Sequence, residues 1–330
     1  MTTRRTEKEQ AAASRRRVLG GGLGLAAGGV LGVAGGAQAA SAAGHSGHGA
    51  TFVLVHGTHS AGAYWEPLAR ELALRGHRTI AVDQPLHGAA AFVPVAYQTQ
   101  DLRALATERS PVARLTLDDF ERRVTETVRR AARTARGGRV VLVGHSLGGL
   151  SVSRVAEAVP ELLHHIGYMA AFCPSRRMPS ADACTASPEG QRALNPGPYV
   201  VGDPDRLGVL RLDFRTGKAE TLAFFKAMIC ANVDDNAFRQ LLSTMQTDES
   251  TTVYAGAAVG SAGRWGRVPR TYLRFGRDRT IAPELQDRMI AEADAATGRN
   301  RFRVRDFPAA SHIGPREKSE LVDALAGLAE

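Results

Sequence analysis

The sequence predicts an α/β fold: a doubly wound, mostly parallel sheet with a cap insertion. Three observations predict it. Short apolar runs alternate with helical patterns from residue 51 to about 172, and again from 268 to the end. That rhythm builds a parallel sheet covered on both faces. Between these stretches, residues 173–250 hold Pro174, Pro179, Pro188, Pro196, Pro198 and Pro204, then the apolar run 221–229. This interruption reads as a cap standing on the sheet. The composition is that of a folded chain: of 330 residues, 44% are hydrophobic and 23% charged, with no repeat and no long polar tract.

The elements follow in order. "TFVLVHG" (51–57) is an apolar run ending at a glycine, as a buried parallel strand does. Residues 64–76 carry Trp65, Leu68 and Leu72 at helical spacing and stop at Gly76. "TIAVD" (79–83) reads as a second buried strand. A loop or small-helix region runs to about residue 115. Residues 116–135 form an amphipathic helix with Leu117, Phe120, Val124, Val128 and Ala131 on one face. Thr116 with Asp119 three residues on resembles a capping box. Next come a strand at 137–144, a helix at 147–159 ended by Pro160, and a strand at 165–172. After the cap come a strand at 268–276, a helix at 282–293, a strand at 301–307 and a last helix near 316–329.

The N-terminus predicts export. Six of the basic residues lie in the first 17 positions against Glu7 and Glu9, and no charged residue follows Arg17 until Glu66. A basic start, an apolar stretch and small residues are the parts of an export signal. Ser14, Arg15, Arg16, Val18 and Leu19 resemble the bacterial twin-arginine pattern. "AQA" (37–39) and "ASA" (40–42) both suit cleavage, so the signal is expected over 1–42, with a flexible linker over 43–50 and the folded domain over 51–330. The apolar span approaches the ~20 residues of a membrane anchor, but its many glycines weigh against that. No stable membrane association is expected after cleavage. The formal charge of +9 is spread among acids elsewhere, so no nucleic-acid partner is expected. His45 and His48 in the glycine linker read as solvated. Cys173, Cys184 and Cys230 show no zinc spacing. Export permits a disulfide, and Cys173–Cys184 is the pair closest in sequence.

Chemistry centres on "VLVGHSLGGL" (141–150). Ser146 sits between an apolar strand and a helix, with Gly144 and Gly148 relieving a crowded turn. The following helix directs N–H groups and positive dipole toward that serine. A serine hydroxyl is a poor nucleophile and needs a base, which needs an orienting acid.

This strand–Ser–helix turn resembles the nucleophile elbow of the α/β-hydrolase family, and the resemblance spans nearly all of residues 51–329. It implies the chain order Ser, acid, His. His312, in "AASHIGP" after the last strand, matches the family's base. Asp278, in "GRDRTIAP" after the preceding strand, matches the acid; Asp287 and Asp306 fit that position worse. The resemblance also implies an oxyanion hole from the backbone amides of Leu147 and, in "HGTHSAG", Thr58. His87, in "DQPLHG", matches a loop of the family and reads as structural. The stretches 52–88 and 278–289 resemble the branch holding plant methyl esterases, hydroxynitrile lyases and bacterial esterases. The lyases carry threonine where this chain has Gly57, and lysine where it has Ile313, which favours hydrolysis. The expected function is therefore an exported serine hydrolase acting on a small or medium carboxylic ester, without metal or cofactor. His59, Phe172, Met178, Phe224, Phe225 and Met228 are candidate substrate-pocket residues; any single one of the five apolar side chains reads better as cap core. A lyase, a non-catalytic ligand-binding member of the fold, and an amidase, lactonase or thioesterase are the rival readings.

Overall fold

The computed structural model describes residues 49–298 and 300–330. The expected export signal and most of the linker lie outside the described residues. Six strands make the central sheet: β1 (Thr51–Val55), β2 (Arg78–Val82), β3 (Val140–His145), β4 (Leu163–Met169), β7 (Arg270–Phe275) and β8 (Arg303–Phe307), with β5 (Val209–Arg211) and β6 (Asp248–Ser250) forming a separate antiparallel pair. The sheet order is β2-β1-β3-β4-β7-β8, and every pairing within it is parallel.

Alternation along the strands divides the core in two. Val53 and Val55 of β1 point to one face, Phe52 and Leu54 to the other. The first face is covered by α2 (Leu117–Ala132), α3 (Gly148–Ala158) and α6 (Pro283–Thr297), the second by α1 (Glu66–Leu74) and α7 (Ser319–Ala326). The sheet is therefore doubly wound. Helix α2 shows why the sequence pattern suffices. A lone 16-residue helix is marginal in water, but its buried Leu117, Phe120, Val124, Val128 and Ala131 form one stripe against the sheet. The capping box of Thr116 and Asp119 is formed in both directions and satisfies the first turn.

One expectation is corrected, and one open question is answered. The strand at 79–83 is not buried: β2 lies at the sheet edge, and only Val82 of its five residues is buried. β8 is the opposite edge and is equally exposed up to Phe307. No disulfide joins Cys173 and Cys184, and all three thiols are free and buried. Burial pushes each thiol up to about 12, far from its reactive thiolate form.

The chain leaves the sheet after Met169 and returns at Arg270. This excursion holds α4 (Ala219–Ile229), α5 (Asp235–Thr244), the antiparallel β5–β6 pair and several short helices. It has its own apolar cluster of Leu212, Phe214, Phe225, Met228, Phe238 and Leu242, against which Ile313 packs from the main domain. The β5–β6 pair is locked by an ion pair: Arg211 makes a fork of two 2.7 Å hydrogen bonds to Asp248, both side chains being fully buried. Among the described residues, no helix is long and apolar enough to cross a membrane.

Candidate active site

β3 ends at His145 and α3 begins at Gly148, so Ser146 must turn the chain within two residues. It does so in the left-handed region, at φ 54°. A non-glycine residue pays ~1–3 kcal/mol for that conformation and keeps it only where its surroundings enforce it. Here three backbone bonds enforce it. The Ser146 amide donates to Met169 at 3.3 Å, and its carbonyl accepts from Phe172 at 3.0 Å and Gly149 at 3.1 Å. The flanking glycines are needed for close approach. A Cβ at Gly144 would stand 2.7 Å from the Gly148 backbone, and one at Gly148 would stand 2.6 Å from the His56 carbonyl.

His312 follows β8 and lies beside this turn. His145, the residue before Ser146, donates its Nε2–H to the His312 carbonyl at 2.8 Å, and the two rings are 4.6 Å apart. His312 Nδ1–H in turn donates to Asp278 Oδ2 at 2.8 Å, in a site where both side chains are buried. Asp278 Oδ1 accepts the amides of Thr280 and Ile281 at 2.8 and 2.9 Å. One oxygen thus caps the turn leading to α6 while the other orients the imidazole. Asp287 and Asp306 are elsewhere, both paired with Arg274 on the surface. No hydrogen bond joins Ser146 Oγ to His312 Nε2 among the described residues; such contacts commonly tighten only around substrate.

The loop after β1 closes over the serine. A Cβ at Gly57 would sit 2.6 Å from Ser146 Cβ and 3.1 Å from its Oγ, so only glycine fits there without displacement. Neither the Thr58 nor the Leu147 amide donates to a protein acceptor among the described residues. Both remain available to an oxyanion.

The candidate pocket residues divide. Phe172 and Met178 belong to the main core, and the Phe172 amide braces the elbow. Phe224, Phe225 and Met228 lie in the cap cluster that also takes in Ile313. Phe224 stacks near Tyr199 at 4.3 Å, and Phe225 lies against Phe214 at 5.2 Å. Phe225 is fully buried, so it acts as cap core. His59 is buried, edge-on to Phe214 at 5.3 Å, with Nδ1–H donated to the Gln246 carbonyl at 3.0 Å. It tethers the cap to the loop.

A strand-to-helix serine turn in a six-stranded parallel sheet, followed in order by an acid and a histidine after the last two strands, decides the family. Residues 52–325 match the model of the "Alpha/beta hydrolase family". The chain belongs to the alpha/beta hydrolase family. Esterase PIR7B of Oryza sativa subsp. japonica is 32% identical over 292 residues, covering 84% of this chain and 95% of that protein. Methylesterase 7 of Arabidopsis thaliana is 26% identical over 239 residues, covering 72% and 82%. Among solved structures, polyneuridine aldehyde esterase aligns at TM-score 0.62 and 19% identity, covering 86% of this chain and 100% of that one. The pyrethroid hydrolase PytH aligns at TM-score 0.63 and 20% identity, covering 85% and 97%. At such identities these structures establish the hydrolase fold.

Several residues around this hydrolase site escape sequence reasoning. Tyr64 stacks on His145 at 4.6 Å and 16°. Lys318 donates to the Ile313 carbonyl at 3.0 Å, and its burial pulls it down to about 8. Glu249 and Tyr254 reach the Thr58 hydroxyl from the cap, about 190 residues along the chain. Periodicity and motif spacing register none of these contacts, because each depends on which loops the fold brings together.

Proposed function

We propose that the protein is an exported serine hydrolase that cleaves small or medium carboxylic esters. His312 Nε2 takes the Ser146 proton as Oγ attacks the ester carbonyl. The Thr58 and Leu147 amides receive the oxyanion. Asp278 holds the His312 tautomer and balances the imidazolium charge. The tetrahedral intermediate then expels the alcohol, which leaves with the proton from His312, and an acyl-Ser146 remains. Water, deprotonated by His312, attacks that ester; the acid departs and Ser146 recovers its proton. The cap side chains near Ile313 supply acyl or alcohol preference.

The observation that carries the reading is Ser146 at φ 54° beside an Asp278–His312 hydrogen bond of 2.8 Å. Relatives named as esterases support the same reaction class. The contact a Gly57 side chain would make with Ser146 weighs against a lyase-type threonine there. Export rests on the N-terminal pattern alone.

The test is turnover of a panel of aryl and alkyl esters by the purified protein, with Ser146→Ala beside it. Loss of ~10⁶-fold in kcat is expected for the variant. Comparable turnover in the variant would move the nucleophile elsewhere. Secretion in a bacterial host, with Arg15→Lys/Arg16→Lys as control, tests export; an intracellular full-length product would refute it.

A further inference from the structure

A second buried carboxylate lies behind the loop that carries the Thr58 amide, and the hydrolytic steps above do not use it. Glu249 belongs to β6 in the cap and is 1% exposed. Three donors converge on its Oε2: the Thr58 hydroxyl at 3.3 Å, the His59 amide at 3.2 Å and His87 Nε2–H at 3.3 Å. The Thr58 hydroxyl also accepts from Tyr254 at 2.8 Å. The same cap segment grips His59 from the other side. The Gln246 amide donates to the His59 carbonyl at 2.8 Å, and the His59 ring donates to the Gln246 carbonyl. This grip matters because His59 is itself left-handed, at φ 53°. A strained residue directly after Thr58 relaxes unless its amide and carbonyl are both held, and relaxation would rotate the Thr58–His59 peptide and displace Thr58, whose own N–H lies one peptide earlier.

We propose that Glu249 is a positioning residue for the oxyanion hole, holding the Thr58 amide in place through the Thr58 hydroxyl and the His59 amide, with His87 hydrogen-bonded to the same carboxylate oxygen. The inference rests on the proposed ester hydrolysis. A bare carboxylate so near a developing oxyanion would oppose the reaction in a low-dielectric site. The place for a compensating proton is His87, whose two ring nitrogens both face acceptors, the Pro85 carbonyl at 2.8 Å and Glu249 Oε2 at 3.3 Å. Burial works against charge on His87, but Glu249 beside it outweighs burial and raises the ring above its ordinary range. Burial likewise works to raise Glu249, yet His87 and its hydrogen bond pull the carboxyl down to about 2. The other facing groups add no further cation. Burial and then His87 lower His56 to about 4, and burial lowers His59. Burial keeps Tyr254 protonated. Asp248 is matched by Arg211, and Asp83 receives the Gly62 amide.

The test compares wild type, Glu249→Gln, Thr58→Val and Thr58→Ser on an activated aryl ester. It also measures inhibition by an aryl trifluoromethyl ketone. That ketone adds Ser146 Oγ at its carbonyl carbon, passes the serine proton to His312 and leaves an oxyanion in the hole. Glu249→Gln is expected to lower kcat about 10- to 100-fold, leave KM within twofold and weaken the ketone by the same factor as kcat. Thr58→Val is expected to follow it, and Thr58→Ser, which keeps the hydroxyl, to recover most of the loss. A folded Glu249→Gln enzyme with kcat and ketone affinity within twofold of wild type would overturn the proposal. If that variant does not fold, equal kcat in Thr58→Val and Thr58→Ser would overturn it instead. An inactive wild type would refute the hydrolytic reading and this inference with it, whereas an active wild type with an unaffected Glu249→Gln refutes this inference alone.

Discussion

Gly57→Ala tests the geometry around Ser146 with a single methyl group. That methyl would land 2.6 Å from Ser146 Cβ, 3.1 Å from Oγ and 3.2 Å from the His145 carbonyl. Two carbons prefer about 3.5–4.0 Å, so about 1 Å must be found. Ser146 is poorly able to provide it. Its Cβ is one bond from a backbone already fixed by Met169, Phe172 and Gly149. The loop at residue 57 must therefore move, and the next residue carries the proposed oxyanion donor. A misplacement of about 1 Å in a reacting constellation costs on the order of 10²-fold in rate. Overpacking of this kind also costs about 1–3 kcal/mol of stability. The assay is kcat/KM on an activated ester with thermal unfolding of the same samples. The expected result is a loss of about 100-fold or more with a melting point a few degrees lower. Activity within twofold of wild type would refute the reasoning, because it would mean that the loop and the serine are not in the contact described. Gly57→Thr adds two more heavy atoms at the same point and is expected to abolish turnover rather than introduce cyanohydrin cleavage.

The remaining predictions concern the acid, the cap clamp, the helix cap and pH. Asp278→Asn keeps an acceptor for Thr280 and Ile281 but permits the wrong His312 tautomer; kcat should fall about 10⁴-fold with near-native circular dichroism, and a loss below tenfold would reassign the acid. Asp248→Ala strands the fully buried Arg211 guanidinium and should cost about 3–5 kcal/mol in urea unfolding. Thr116→Ala removes the hydroxyl half of the α2 capping box and should cost about 1 kcal/mol by the same measurement. The His87–Glu249 pair makes stability pH-dependent in two directions. Glu249 is lowered from 4.5 to about 2, so its contribution is present above 4.5 and lost as pH falls toward 2. His87 is raised, so its contribution is present below 6.5 and lost as pH rises through its folded value. The stability difference between wild type and Glu249→Gln, followed by urea unfolding, should therefore be largest between pH 4.5 and 6.5 and shrink on both sides.

What was legible in the sequence was the part fixed by local chemistry. The Gly144-x-Ser146-x-Gly148 spacing reports a turn so crowded that side chains at either glycine would strike backbone. Apolar runs report buried strands, and they failed where burial is one-sided. "TIAVD" has the composition of a central strand, but strand order is a long-range property, and it put β2 at the edge. The β5–β6 pair was missed because each strand has only three residues, its partners Arg211 and Asp248 lie 37 residues apart, and its stabilisation comes from the fork between them, not from an apolar pattern. Asp278 was singled out as the candidate acid because chain order in the family indicates it. Glu249 was not, because "TDES" carries no periodicity and its partners Thr58, His59 and His87 are distant in sequence.

The pair His145 and His312 illustrates how burial separates the roles of two neighbouring histidines. Their rings are 4.6 Å apart, and only one of them can take a proton without repelling the other. Burial, and then the neighbouring His312, push His145 well below the ordinary range. No acid touches it. Its Nε2–H goes to a backbone carbonyl and its face to Tyr64, so it remains a neutral donor. His312 has the opposite environment, with Asp278 accepting from Nδ1. In the proposed reaction a proton leaving Ser146 therefore has one acceptor, and the neutral ring next to it fixes the backbone of that acceptor without competing for the charge. Putting an acid within reach of His145 would undo this arrangement. A Tyr64→Asp variant, by raising the charge on His145, should lower kcat more than Tyr64→Asn does, and the gap between the two variants should vanish once the pH is low enough to protonate the new carboxylate.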